Sequence, residues 1–238
     1  MEILLIHGMW TTASFWNNYS NFFMSKGCNT KAVTLLYHGD SKDKLKDVEV
    51  MDYVKQVEEE LSKVTDKPII IGHSMRALIA QKLAEKGLAA KLVLIAPSAP
   101  KGISVIKPSV LRTFSANICN VLLKKPFIIP LSNAVYGLMN TMSQEEQTEV
   151  YQDLVYESGL AAYEIVRGRI AIDASKVTCS VLVIAGGQDR ATPPEVVRKV
   201  AGKYGACYKE YAEHCHFSLV KGSGWEKVAK DIYDWVKD

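Results

Sequence analysis

Short apolar runs alternate along the chain with longer segments whose apolar residues recur at helical spacing. The runs at 2–6, 31–36, 68–71, 91–96, 180–185 and 206–211 are mostly continuous in hydrophobicity. That pattern predicts parallel strands covered on both faces rather than the alternating strands of a half-wet sheet. Between them, Val50, Tyr53, Val54, Val57, Leu61 and Val64 trace one helical stripe. Trp225, Val228, Ala229, Ile232, Trp235 and Val236 trace another near the end of the chain. Three helix starts carry a Ser/Thr-x-x-Glu capping box: Ser143 with Glu146, Thr192 with Glu195, and Ser223 with Glu226. In the second of these, Pro193 is expected at the first helical position, where its missing N–H costs nothing.

Strand and helix in alternation predict an α/β fold: a six-stranded, mainly parallel sheet flanked by helices. The rhythm breaks between 98 and 174. That interval holds helix-like segments and Pro108, Pro126 and Pro130, but no buried strand. We read it as a helical cap inserted after the fourth strand, with 1–97 and 175–238 forming the core.

Composition narrows the class of function. The chain has 238 residues, 48% of them hydrophobic, enough apolar material for one sizeable core with an insertion. A net charge of +3, with acids and bases interspersed, offers no basic face for nucleic acid. No segment is long and apolar enough for stable insertion in a membrane, and the 3–6 run meets His-Gly instead of a signal-peptidase site. Cys28, Cys119, Cys179, Cys207 and Cys215 are odd in number and lack paired or metal-like spacing. They read as reduced thiols of a cytoplasmic protein. Oligomeric state leaves no mark in the sequence.

The chemistry is concentrated at strand ends. Ile69-Ile70-Ile71-Gly72-His73-Ser74-Met75-Arg76 reads as a strand, a sharp turn and a helix start. A serine on such a turn is exposed at the strand's C-terminal edge, with a helix N-terminus behind it to favour negative charge. A serine nucleophile needs a base, and the base needs an orienting carboxylate. Asp189 follows the 181–185 run in Gly186-Gly187-Gln188-Asp189. His216 follows the next run in His214-Cys215-His216-Phe217. Serine, acid, then histidine is the chain order of one convergent solution to acyl transfer. At the start, strand 2–6 runs into His7-Gly8-Met9-Trp10, a turn that can aim the Met9 N–H at an oxyanion. The Met75 N–H at the helix start is the second expected donor.

With these four parts in order, the chain resembles the α/β-hydrolase superfamily, in particular its small cap-bearing esterases and lipase-like members. The resemblance runs from His7-Gly8 to the helix ending at Trp235. It implies Ser74 as nucleophile, Asp189 as the acid of a Gly-x-x-Asp-x-x-x-Pro loop, and His216 as the histidine followed by an aromatic. It further implies a small-molecule ester substrate and chemistry that needs no cofactor or metal. Two departures stand out. The family's usual opening hairpin is absent before the His-Gly strand, so a pared sheet is expected. And Arg76 replaces the last glycine of the nucleophile turn, where a long side chain is expected either to distort the turn and impair catalysis or to select an anionic substrate.

Competing readings exist for each residue. Ser74 could cap a helix, and Asp189 could cap the helix after Thr192. His214 competes with His216 for the role of base; the following Phe217 favours His216. A His-Cys-His metal site lacks the second cluster it would need. Trp10, Phe114, Phe127, Met139 and Met142 are candidates for an acyl pocket, although such residues are as often plain packing. The same triad also serves lyases, thioesterases and lactonases. A non-catalytic binding or signalling protein on this fold is the reading from a different class.

Overall fold

The central strands are buried because apolar residues face both ways along them. In the computed structural model, which describes all 238 residues, the order begins β1 (Glu2–Ile6), α1 (Asn17–Ser25), β2 (Asn29–Val33), α2 (Val50–Leu61), β3 (Ile69–His73), α3 (Ala77–Glu85) and β4 (Lys91–Ile95). Then come α4 (Pro108–Phe114), α5 (Ile118–Leu122), α6 (Leu131–Gly137), α7 (Gln144–Gln152) and α8 (Gly159–Val166), with no sheet strand among them. The chain closes with β5 (Ser180–Gly186), α9 (Pro194–Tyr204), β6 (Cys207–Tyr211) and α10 (Trp225–Lys237).

The six strands form one sheet in the order β2-β1-β3-β4-β5-β6, and every pairing is parallel. Side chains alternate across it. Leu5, Ile71, Val93 and Ile184 pack with Tyr19 and Phe23 of α1 and Ile232 of α10. Leu4, Ile70, Leu92 and Val183 pack on the other face with Val54 of α2, Leu83 of α3 and Val197 of α9. The edge strands β2 and β6 are largely solvent-facing and carry Lys31, Lys209 and Glu210. Such charges blunt an open sheet edge against pairing with another chain.

Three boundaries differ from the sequence pattern, each for a local reason. β2 ends at Val33 rather than near Leu36, because the Leu35 N–H donates to His7 and the Leu36 N–H to Gln56. Pro193 caps α9 and Pro194 takes the first turn; the Thr192 hydroxyl is engaged by Asp189 instead of capping. Before α10, the cap is Gly224 in the left-handed region, and the Ser223 N–H donates to Glu146 of α7. The Ser143–Glu146 box forms as expected.

The strand order reverses between β1 and β3, which lie side by side with Ile6 opposite Gly72. A crevice opens beyond the C-terminal ends of strands at such a switch point. No helix is long and apolar enough to cross a membrane.

Candidate active site

Ser74 is the first residue past β3, and its φ of 58° lies in the left-handed region that serine rarely adopts. The turn lifts the hydroxyl off the sheet edge, and backbone strain of this kind is held only where the surroundings over-determine it. Gly8, beyond β1, is one of those surroundings. A Cβ there would come within 2.8 Å of His73 Nδ1 and 3.0 Å of Ser74 Cβ. Only glycine lets the β1 loop lie against the serine turn.

Asp189 and His216 arrive on the loops after β5 and β6. The end of β5 and the loop after β6 also touch closely: a Cβ on Gly186 would sit 2.5 Å from the His214 carbonyl oxygen. Ser74 Oγ lies 2.7 Å from His216 Nε2. On the other side of the ring, His216 Nδ1 lies 2.7 Å from Asp189 Oδ2. An ionised carboxylate only accepts, so Nδ1 carries the proton and donates; Nε2 is then the acceptor that faces the serine hydroxyl. All three residues are buried, yet Ser74 and His216 line an open cavity.

The carboxylate of Asp189 is held from four directions. Its Oδ1 accepts from the backbone N–H groups of Ala191 and Thr192, both at 2.8 Å. Its Oδ2 accepts from Thr192 Oγ1 at 2.8 Å as well as from His216. Thr192 was not among the candidate site residues. A threonine three places before Glu195 of α9 looks like a cap, and only the folded loop turns it toward the acid.

The remaining histidines sit elsewhere. His7 donates from Nδ1 to the Gly8 carbonyl and accepts the Leu35 N–H at Nε2. Burial, with His38 nearby, pushes it well below the ordinary histidine range. His73 donates to the His216 carbonyl, and burial next to the His216 ring pushes it down likewise. Both are therefore neutral scaffold groups. His214 contacts the Ser218 hydroxyl rather than Ser74, and partial burial lowers it too.

The cavity beside Ser74 has a volume of about 290 Å³. Trp10, Phe114 and Phe127 line it, and Phe114 and Phe127 pack on the Trp10 indole at centroid distances of 6.0 and 5.7 Å. Met139 and Met142 do not reach it. They are buried in the layer between α6, α7 and the sheet, where Met139 and Met142 carbonyls accept from the Gln147 amide. Met9 and Met75 both line the cavity, and the Met9 N–H has no hydrogen-bond partner within the protein. The polar side chains on the wall are Ser74, Ser98, Thr192 and His216; no charged side chain reaches it.

Arg76 corrects the expectation placed on it. Its φ of −78° is ordinary helix geometry, so the position tolerates a Cβ without distortion. The side chain turns away from the cavity and is almost wholly buried. There Nη2 donates to both Glu157 oxygens at 2.6 Å and lies 3.1 Å from His38 Nε2. The Tyr53 ring covers the guanidinium with its carbon 3.9 Å from the centroid. Burial alone would raise the Glu157 carboxyl, but Arg76 and His38 hold it below the usual carboxylate range. Arg76 is thus not placed to meet a substrate. It ties the serine turn to the segment between β4 and β5.

The chain is similar to several known proteins. A curated Escherichia coli protein, an uncharacterised 31.7 kDa product of the traX-finO intergenic region, is 34% identical over 82 residues, or 33% of this chain; the match spans 28% of that protein's length. Among solved structures, polyneuridine aldehyde esterase superposes with a TM-score of 0.78 at 16% identity, covering 100% of this chain and 99% of that one. A methylesterase from Arabidopsis superposes with a TM-score of 0.77 at 11% identity, covering 100% and 99%. At such identities the likeness speaks for the fold. The sequence itself goes further: residues 3–224 match the pattern of the alpha/beta hydrolase family, and the chain belongs to that family.

Proposed function

We propose that the protein is a serine hydrolase that cleaves a carboxylic ester with an uncharged, apolar acyl group. The observation that carries this reading is the continuous hydrogen-bonded series Ser74–His216–Asp189 opening onto an apolar cavity. Ser74 Oγ attacks the carbonyl while His216 Nε2 takes its proton; the C–O bond to the alcohol breaks as His216 returns that proton to the leaving oxygen. Water then repeats the cycle on the acyl-enzyme. The Met9 and Met75 N–H groups are the proposed oxyanion donors, a contribution of typically ~2.7–4 kcal/mol each to the transition state. Asp189 keeps the imidazole in the required tautomer.

The esterases among the structural relatives support the ester as substrate. We further propose that residues 98–174 act as the cap, since Phe114, Val121 and Ile165 of that segment form part of the cavity wall. The five free thiols, Cys119 and Cys207 of them exposed, fit the reducing cytoplasm.

Labelling tests the reading directly. A fluorophosphonate should modify Ser74 in the wild type, identified by mass spectrometry, and leave Ser74→Ala unmodified. A wild-type protein that neither reacts nor turns over any p-nitrophenyl ester would instead be a binding protein on a hydrolase scaffold.

A further inference from the structure

The mouth of the cavity is apolar and open to water at once. Ile106, Leu111, Ile118, Leu122 and Val166 all line the cavity, and each is between 45% and 73% exposed. Leu123, next to this rim, is 63% exposed without lining the cavity. These residues come from α4, α5, α8 and the loop before α4, and α5 packs on α8. A contiguous apolar surface of this kind marks a place where something other than water belongs.

Charge identifies what. Between residues 98 and 142 there are five Lys or Arg residues and no Asp or Glu. The cations follow the rim residues directly: Leu111-Arg112, Leu122-Leu123-Lys124-Lys125 and Val166-Arg167. Arg112, Lys124, Lys125 and Arg167 are exposed. Among the Lys and Arg residues from 98 to 170, only Lys107 sits in an ion pair, with Glu195. The acids of the insertion lie instead on α7 and at Asp153, Glu157, Glu164 and Asp173.

Exposed apolar side chains, followed in the chain by exposed cations that no carboxylate pairs, match the chemistry of an anionic lipid surface. The apolar residues enter the acyl boundary, and the cations meet headgroup phosphates. A protein partner fits less well, because lysine is depleted at protein–protein interfaces. We propose that this face of the insertion docks on an anionic lipid surface, and that the cavity takes its ester from the apolar layer beneath the headgroups. The second half rests on the hydrolase reading above; the docking does not.

The test uses full-length Ser74→Ala protein, which leaves the lipid chemically intact. It is sedimented with vesicles of phosphatidylcholine alone or mixed with phosphatidylglycerol. We expect at least ~10-fold more bound protein on the mixed vesicles, with binding lost as salt is raised. Adding Leu123→Glu with Lys125→Glu should abolish this binding. The same pair of changes in the protein with Ser74 intact should leave turnover of a soluble short-chain ester unaltered. If that variant misfolds, Arg112→Glu with Arg167→Glu, on two other parts of the face, gives a second reading of the same loss. Equal binding to both vesicle types, or binding to neither, overturns docking. So does burial of the face in a stable dimer seen by ultracentrifugation. Fluorophosphonate labelling is scored separately, so a failed hydrolase reading leaves the docking result intact, and the reverse.

Discussion

Arg76 Nη2, two residues past Ser74 in the turn that leaves β3, donates to both carboxylate oxygens of Glu157 at 2.6 Å, and both side chains are buried. The pair joins the serine turn to the chain just before α8. Glu157 also exchanges backbone hydrogen bonds with Phe127, which lies on the cavity wall. The Ser158 hydroxyl donates to the Val48 carbonyl, fixing the same point to the loop before α2. The insertion is therefore pinned to the core at one desolvated ionic joint rather than resting on it by apolar contact alone.

Restoring glycine at the turn should for this reason harm the protein. Arg76→Gly leaves the Glu157 carboxylate buried without its cation, a change worth ~3–5 kcal/mol in comparable sites. Replacing both partners, as Arg76→Met with Glu157→Leu, should recover most of that loss. Urea titrations of the two variants decide the matter. A single Arg76→Gly protein as stable as the wild type would show that the joint carries no weight.

Acid should dissolve the same joint. Glu157 is held below the ordinary carboxylate range by Arg76 and His38 against the opposing effect of burial. A depressed folded pKa adds stability that is complete above the unfolded value, ~4.3, and is lost as pH falls through the folded value. Glu157→Gln cannot show this dependence at position 157. The gap in stability between wild type and Glu157→Gln should be widest near neutrality and narrow steadily below about pH 5. Denaturation at a series of pH values reads the gap. A gap that stays constant down to pH 3 would mean that Glu157 is not the titrating group.

Much of this architecture was legible in the sequence because the signals are local. A strand, a glycine turn and a helix start within ten residues place Ser74. Asp189 and His216 follow from the same punctuation after the next two strands, and the structure brings all three side chains together. What escaped detection depends on residues far apart in the chain. Glu157 sits in Tyr156-Glu157-Ser158-Gly159 with no periodicity to betray its burial, and its cation is 81 residues away. Arg76 broke the family pattern visibly, but its direction depends on Tyr53 and His38 behind the turn, which no spacing reveals. Met139 and Met142 were candidates by residue type, and type does not distinguish a wall from the layer behind it.

Thr192 should act on the rate through Asp189. Its hydroxyl supplies one of four donors to that carboxylate, beside its own backbone N–H, and a hydrogen bond to a charged group contributes ~1.5–3 kcal/mol. Thr192→Val should lower kcat by ~10–100-fold with KM little changed, because the group positions the acid rather than the ester. Thr192→Ser, which keeps the hydroxyl, should restore most of the rate. A threonine that matters only for packing would give the opposite ranking of the two variants.

The two neighbouring histidines should separate cleanly. His216→Ala removes the imidazole that contacts Ser74 and should cost more than ~10⁴-fold in kcat. His214 contacts Ser218 instead, so His214→Ala should keep turnover within a few-fold of the wild type. A dead His214→Ala protein with a normal melting curve would transfer the role of base to His214.

The cavity wall, finally, sets the choice of ester. It is about 290 Å³, apolar apart from Ser74, Ser98, Thr192 and His216, and carries no charge. Each methylene moved from water into such a space contributes up to ~0.8 kcal/mol, or about fourfold in kcat/KM. From butyrate to octanoate that ceiling is about 200-fold, and losses to chain ordering and imperfect packing reduce it. We expect kcat/KM for p-nitrophenyl esters to rise at least ~10-fold over this range and then fall once the chain outgrows the cavity. A carboxylate at the far end of the acyl chain should be rejected, since its desolvation would go uncompensated and Arg76 is turned away from the site. Succinate and adipate half-esters test this against butyrate and hexanoate. Turnover indifferent to chain length would place the acyl group outside the cavity, and preference for the half-esters would require a cation at the site that the wall does not contain.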